Sequence, residues 1–235
     1  MLPKEEREKS VKIILAATIA ALAVTLGGTP AAQAGPTIHV GPGTAYTPYP
    51  DAEGYCTIGA VGTDNAGRLV ALTVGHCHQS SGKAVYKVGD AANGPIGWET
   101  DVYSRNTDGT FTALDYAVIR LNPDVVVPSK YSDTTDAVVS TVGDASLSDV
   151  GCNHGATTGK NCGIIGNVDG IHLQNWAVMW EGDSGGPIVV GEKLVGLNIG
   201  MDFGTQPTTF YGKITPILAD INAKGSYGAG FTLVQ

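Results

Sequence analysis

Short apolar or alternating runs, separated by glycines and by clusters of Asn, Asp and Ser, fill most of the chain. They fall at 56–61, 69–74, 84–88, 114–121, 137–142, 164–168, 171–179, 187–190, 194–199 and 208–214. Runs this short with a period near two predict β-strands, and so many at this spacing predict a sandwich or barrels. Only residues 216–223 carry a helical pattern, with Thr215 as the expected N-cap and Pro216 at the first helical position.

The N-terminal region breaks this pattern. Lys4, Arg7, Lys9 and Lys12 accompany an apolar run at 11–26, and Ala32-Gln33-Ala34 then presents the small-x-small pattern of a signal-peptidase site. Residues 1–34 are therefore expected to be a cleaved signal peptide, which places the protein outside the cell and leaves no membrane contact after removal. An uncleaved anchor is the other reading, and the run is near the lower limit for a span. Residues 35–54, with Pro36, Pro42, Pro48 and Pro50, read as an extended N-terminal arm. Residues 55–235 form the expected folded domain, long enough for one core or for two β halves.

Composition agrees with many tight turns: charged residues are 15% and glycines number 33, which suits short strands better than long amphipathic helices. The formal charge is -8, and loss of four basic and three acidic leader residues makes it -9. Such a surface repels phosphate backbones, so nucleic acid is not an expected partner; plain solubility explains the charge. Cys56, Cys77, Cys152 and Cys162 contain no C-x-x-C pair, which argues against a zinc ribbon. An even number in an oxidising compartment predicts two disulfides, for which the sequence alone allows three pairings.

Three segments carry candidate chemistry. Thr73-Val-Gly-His-Cys77 ends a strand on a histidine, Leu114-Asp-Tyr-Ala-Val-Ile119 places one carboxylate in an apolar strand, and Gly182-Asp-Ser-Gly-Gly-Pro187 sets a serine among glycines. Singly, each reads as a surface histidine, a cap or a turn. Together they supply what acyl transfer needs. A serine hydroxyl requires a base, histidine titrates near neutrality, a buried carboxylate fixes the imidazole tautomer, and backbone N–H groups can bind the oxyanion. Gly182-x-Ser184-x-Gly186 also matches a nucleophile elbow, but every histidine (39, 76, 78, 154, 172) precedes Ser184, the reverse of that fold's order. A subtilisin-like order would use Asp51 or Asp64, and the scarcity of helical patterns opposes it. The order His, Asp, Ser remains.

These three segments resemble the signatures of the chymotrypsin-like (trypsin-like) serine peptidases. The stretch from Cys152 to Gly163, with Gly155, Thr157, Thr158, Gly159 and Cys162, is similar to one found in the bacterial α-lytic protease and streptogrisin group. The tail through Thr208, Tyr211 and Thr215-Pro-Ile-Leu218 is similar as well. The resemblance runs from about Tyr55 onward. It implies an all-β fold of two six-stranded antiparallel β-barrels with the active site between them and a short C-terminal helix. It implies a secreted, monomeric endopeptidase acting on polypeptides without cofactor or metal. His76 would be the base, Asp115 its orienter and Ser184 the nucleophile. The N–H groups of Gly182 and Ser184 would form the oxyanion hole, Asp183 would support that loop, and the disulfides would be Cys56–Cys77 and Cys152–Cys162.

The resemblance also implies a primary pocket walled by Val178, Met179, Trp180, Asn198, Ile199, Gly200 and Met201. No aspartate stands at its base, so small or medium apolar side chains are expected before the scissile bond. Glu181 and Asp202 are candidates for its rim. One departure matters: the bacterial relatives pair the loop aspartate with an arginine where this chain has Asn153, so Asn153, His154 or backbone donors must serve Asp183 instead. That departure motivates the alternative function, a weak or inactive protease fold used as a binding module. A metal site at His76-Cys77-His78 is a third reading, disfavoured by its adjacent spacing.

Overall fold

The structure is a computed structural model that describes residues 37–50, 54–105, 113–132, 134–203 and 207–235; the expected leader lies outside them. The N-terminal half contains β1 (Ile38–Val40), β2 (Ala45–Thr47), β3 (Cys56–Thr57), β4 (Ala60–Thr63), β5 (Leu69–Thr73), β6 (Ala84–Lys87), β7 (Gly97–Ser104), β8 (Tyr116–Leu121) and β9 (Val126–Pro128). The C-terminal half contains β10 (Thr141–Val142), β11 (Val150–Gly155), β12 (Gly159–Val168), β13 (His172–Asn175), β14 (Pro187–Val190), β15 (Lys193–Asp202), β16 (Thr208–Lys213), helix α1 (Ile214–Lys224) and β17 (Thr232–Leu233).

Six strands close on themselves in the C-terminal half, in the order β15-β14-β11-β12-β13-β16 and back to β15, with β10 added alongside β15. The N-terminal half is a curled half-barrel with strand order β17-β4-β5-β8-β7-β6-β2-β3. This is the chymotrypsin-like two-barrel architecture. The expected arm enters it through β2, which pairs with β3 and β6, and through β1, which runs parallel to β9.

Core burial explains the strongest sequence runs. On β5 and β8, Val70, Leu72, Val118, Ile119 and Leu121 are all buried, and Arg120 alone on β8 faces out. Each such aliphatic side chain contributes roughly 1.5–3 kcal/mol on burial. A second cluster of Ile165, Leu173, Ile188, Val195 and Tyr211 fills the closed barrel. Helix α1 starts earlier than its sequence pattern: Lys213 occupies the N-cap and Ile214 is already helical. Burial of Ile214, Ile217 and Ile221 sets that start, and Pro216 is tolerated because the first helical N–H groups have no intrahelical partner. Gly225, at φ 67°, ends the helix.

Candidate active site

His76 lies in a one-turn 3-10 helix, Gly75–Cys77, that follows β5, and Asp115 directly precedes β8. The two strands are antiparallel neighbours with Thr73 opposite Ala117, so residues 39 positions apart meet at one end of the sheet. Asp115 Oδ1 accepts the His76 backbone N–H at 2.8 Å, and Oδ2 lies 2.7 Å from His76 Nδ1. The carboxylate is buried and the imidazole one-third exposed. An ionised carboxylate only accepts, so this contact selects the tautomer protonated on Nδ1 and leaves a lone pair on Nε2.

Ser184 lies in the turn before β14 and lines the same cavity as His76. No hydrogen bond joins its hydroxyl to His76 among the described residues; such bonds in free enzymes tighten when substrate binds. The Ser184 turn is tied down on both sides. The Thr57 backbone N–H donates to Ser184 O at 2.7 Å, the Thr57 hydroxyl donates to Gly182 O at 2.6 Å, and Gly185 N–H donates to Asn198 O at 2.8 Å. Gly182 sits at φ +93°, and a Cβ there would meet the Tyr55 ring, so both conformation and space require glycine. The N–H groups of Gly182 and Ser184 have no acceptor among the described residues, as an oxyanion site requires.

Asp183 is fully buried, and four donors satisfy it. Thr157 N–H and Thr158 N–H donate to Oδ1 at 2.8 and 3.0 Å, while the Thr158 hydroxyl and Trp180 N–H donate to Oδ2 at 2.7 and 2.8 Å. Gly155 makes room, because a Cβ there would overlap the carboxylate. Three backbone N–H groups and one hydroxyl therefore serve this carboxylate. Asn153 takes no part: it is buried beside Asn198, whose Nδ2 reaches its Oδ1 at 3.5 Å. His154 hydrogen-bonds Thr135 Oγ1 at 3.0 Å instead, and its burial pushes its pKa down to about 4.

A cavity of about 380 Å³ opens at Ser184, lined by Met179, Trp180, Glu181, Gly200, Met201 and Phe203. Of the wall residues expected from sequence, Met179, Trp180, Gly200 and Met201 line it. Asn198 and Ile199 are buried on the same strand, and Val178 is half exposed outside the lining. Phe203 was not foreseen; it packs edge-on to Trp180 with ring centroids 6.3 Å apart. A larger cavity of about 520 Å³, beside Trp98, Arg120 and Tyr227, has no histidine in its lining.

Cys56–Cys77 and Cys152–Cys162 are both disulfide-bonded. The first removes the thiolate that a metal site at His76-Cys77-His78 would use, and no cluster of three or more potential ligands occurs among the described residues. No described helix is long and apolar enough to cross a membrane.

No family model and no curated protein matches the sequence. Solved structures match over most of the chain, and those neighbours are bacterial chymotrypsin-like serine proteases. Nocardiopsis protease superposes with a TM-score of 0.61 at 26% identity, over 79% of this chain and 97% of its own. The alpha-lytic protease homolog N4 gives 0.61 and 26%, over 80% and 98%. Protease A of Thermobifida fusca gives 0.63 at 23%, over 84% and 100%, a likeness of fold. The structural homologues are named proteases, consistent with a serine-type endopeptidase.

Proposed function

We propose that this chain is a secreted, monomeric serine endopeptidase whose catalytic residues are His76, Asp115 and Ser184. The observation that carries the reading is the double hold of Asp115 on His76, in the cleft that Ser184 lines. His76 Nε2 takes the Ser184 proton as Oγ attacks the peptide carbonyl. The N–H groups of Gly182 and Ser184 bind the oxyanion, and His76 returns the proton to the leaving amine. Water then releases the acyl group by the same route. No cofactor or metal enters these steps.

The leader at 1–34 and the two disulfides support export. The arm at 35–54 and the domain at 55–235 would together form the mature protein. Substrate selection rests on the cavity beside Ser184, whose walls are Met179, Met201 and Phe203 with Glu181 as its charged member. Small or medium apolar side chains before the scissile bond suit it, because a buried cation would lose hydration without a counter-ion at the base. The binding-module alternative drew on the missing arginine, and four donors on Asp183 remove that motive.

The test is a fluorophosphonate probe on the purified protein beside Ser184→Ala. Labelling of the wild type that disappears in Ser184→Ala is expected. Labelling that survives the substitution would exclude Ser184 as the nucleophile.

A further inference from the structure

A second cavity, of about 350 Å³, meets the first at Ser184 and Glu181. Its far wall comes from the N-terminal arm: Tyr46, Pro48 and Tyr49, facing Tyr55 and the Cys56–Cys77 disulfide. The side of the reaction it serves follows from proton transfer. His76 must deliver a proton to the departing amine, so the leaving portion lies on the His76 side of Ser184. His76 lines this arm-walled cavity and does not line the one containing Met179. We infer that the arm-walled cavity binds the residue immediately after the scissile bond and selects a bulky apolar or aromatic side chain there. This inference rests on the catalytic reading above.

The chemistry of the walls sets the class of side chain. The exposed Tyr49 ring, the partly exposed Tyr55 ring and Pro48 offer flat apolar surface, while Tyr46 is buried, and aromatic pairs gain beyond the area they bury. The tyrosine hydroxyls are already engaged. Tyr46 donates to Thr73 Oγ1 at 3.2 Å. Tyr55 donates to Thr157 Oγ1 at 2.9 Å, since that hydroxyl's own proton goes to Glu181 O. Tyr49 donates to Gln79 Oε1 at 3.3 Å. A polar substrate side chain would therefore find few free partners among them. A basic side chain would gain only exposed Glu181, a screened and weak attraction. It would also meet Lys83, whose Nζ already sits 4.4 Å from the Tyr49 ring centre. An aromatic or large aliphatic side chain meets neither cost.

Acyl transfer isolates this site from the other cavity. An N-acyl amino-acid ester, chosen from Ala, Leu and Phe esters by turnover, acylates Ser184. An added amino-acid amide then competes with water. Its amine attacks the acyl carbonyl, the Ser184 Oγ–carbonyl bond breaks, and the amine's proton passes through His76 to Oγ. The product ratio of new amide to hydrolysed acid reports only the incoming amine, and general changes in activity cancel. Phe-amide is expected to capture the acyl group roughly ten-fold better than Gly-amide. That preference should fall to about two-fold or less in Tyr49→Ala and persist in Tyr49→Phe, which keeps the ring. Equal capture by the wild type, better capture by Arg-amide than by Phe-amide, or a preference that survives Tyr49→Ala would each overturn the assignment. Ester turnover without any amine preference removes this inference alone. Absence of ester turnover sensitive to Ser184→Ala removes the catalytic reading and this inference together.

Discussion

Asp115 grips His76 at two points, the backbone N–H through Oδ1 and the imidazole through Oδ2. One carboxylate thus fixes both where the turn sits and which ring nitrogen carries the proton. Asp115→Asn separates these roles. The amide oxygen can keep the backbone bond, while the NH₂ group faces Nδ1 and forces the proton onto Nε2. Peptide hydrolysis at neutral pH should fall by about 10³–10⁴-fold with little change in melting temperature. A loss of activity matched by a large loss of stability would show that Asp115 is chiefly structural.

Asp183 leads to opposite expectations for two substitutions. Asp183→Ala removes the acceptor of four partly buried donors, so stability should fall by about 1–3 kcal/mol and activity with it. Asn153→Arg adds a cation near an Asp183 that already has four donors. It forces a long charged side chain into a fully buried position beside Asn198, so about 1–3 kcal/mol of overpacking loss is expected, with no gain in activity. Urea melts with parallel peptidase assays measure both. A more active Asn153→Arg would mean that the four donors do not suffice.

His154 should make stability depend on pH. Its folded pKa, about 4, lies below the usual 6.5 because burial disfavours the imidazolium, an effect that nearby Asp136 opposes and Lys160 reinforces. The unfolded chain therefore binds the proton more readily. The contribution is full above the unfolded pKa of about 6.5 and is lost as pH falls toward the folded value of about 4, by at most ~3 kcal/mol. Urea midpoints measured across that window should drop less in His154→Gln than in the wild type. Parallel curves for the two proteins would remove His154 as the source.

Met179 is nearly buried in the wall of the cavity beside Ser184. Met179→Ala should enlarge that cavity and shift preference before the scissile bond toward Phe or Tyr by roughly 10–100-fold relative to Ala. A peptide-library profile gives the answer. Strong wild-type preference for Lys or Arg would instead assign selection to Glu181.

The strands with mostly apolar runs, β5, β8, β14 and β15, were legible because burial on the sheet leaves little room for polar residues. β7 was not. It buries Glu99 and Thr100, whose polar atoms are satisfied locally: Glu99 accepts the backbone N–H groups of Gln79 and Ser80, and Thr100 donates to Val118 O. Paired polar atoms look like surface in a sequence. β11 and β12 hid for a related reason, since Gly151 and Gly163 pack close to Asn175 and Gly155 close to Asp183 rather than display an apolar face. The segments around His76, Asp115 and Ser184 stand out in the sequence because their neighbours are so constrained, and the fold brings His76 against Asp115. The tyrosines of the second cavity do not, because Tyr46, Tyr49 and Tyr55 converge only after β2 has paired with β3 and β6.

The pairing of β17 with β4 ties the last described strand to the N-terminal half, with Thr232 opposite Thr63 and Leu233 opposite Gly62. The sheet that carries His76 therefore borrows an edge strand from residues made some 170 positions later. During synthesis the first half can collapse but cannot complete its own edge. Removing the last few residues, although they follow the serine in sequence, would loosen the half of the molecule that holds the histidine.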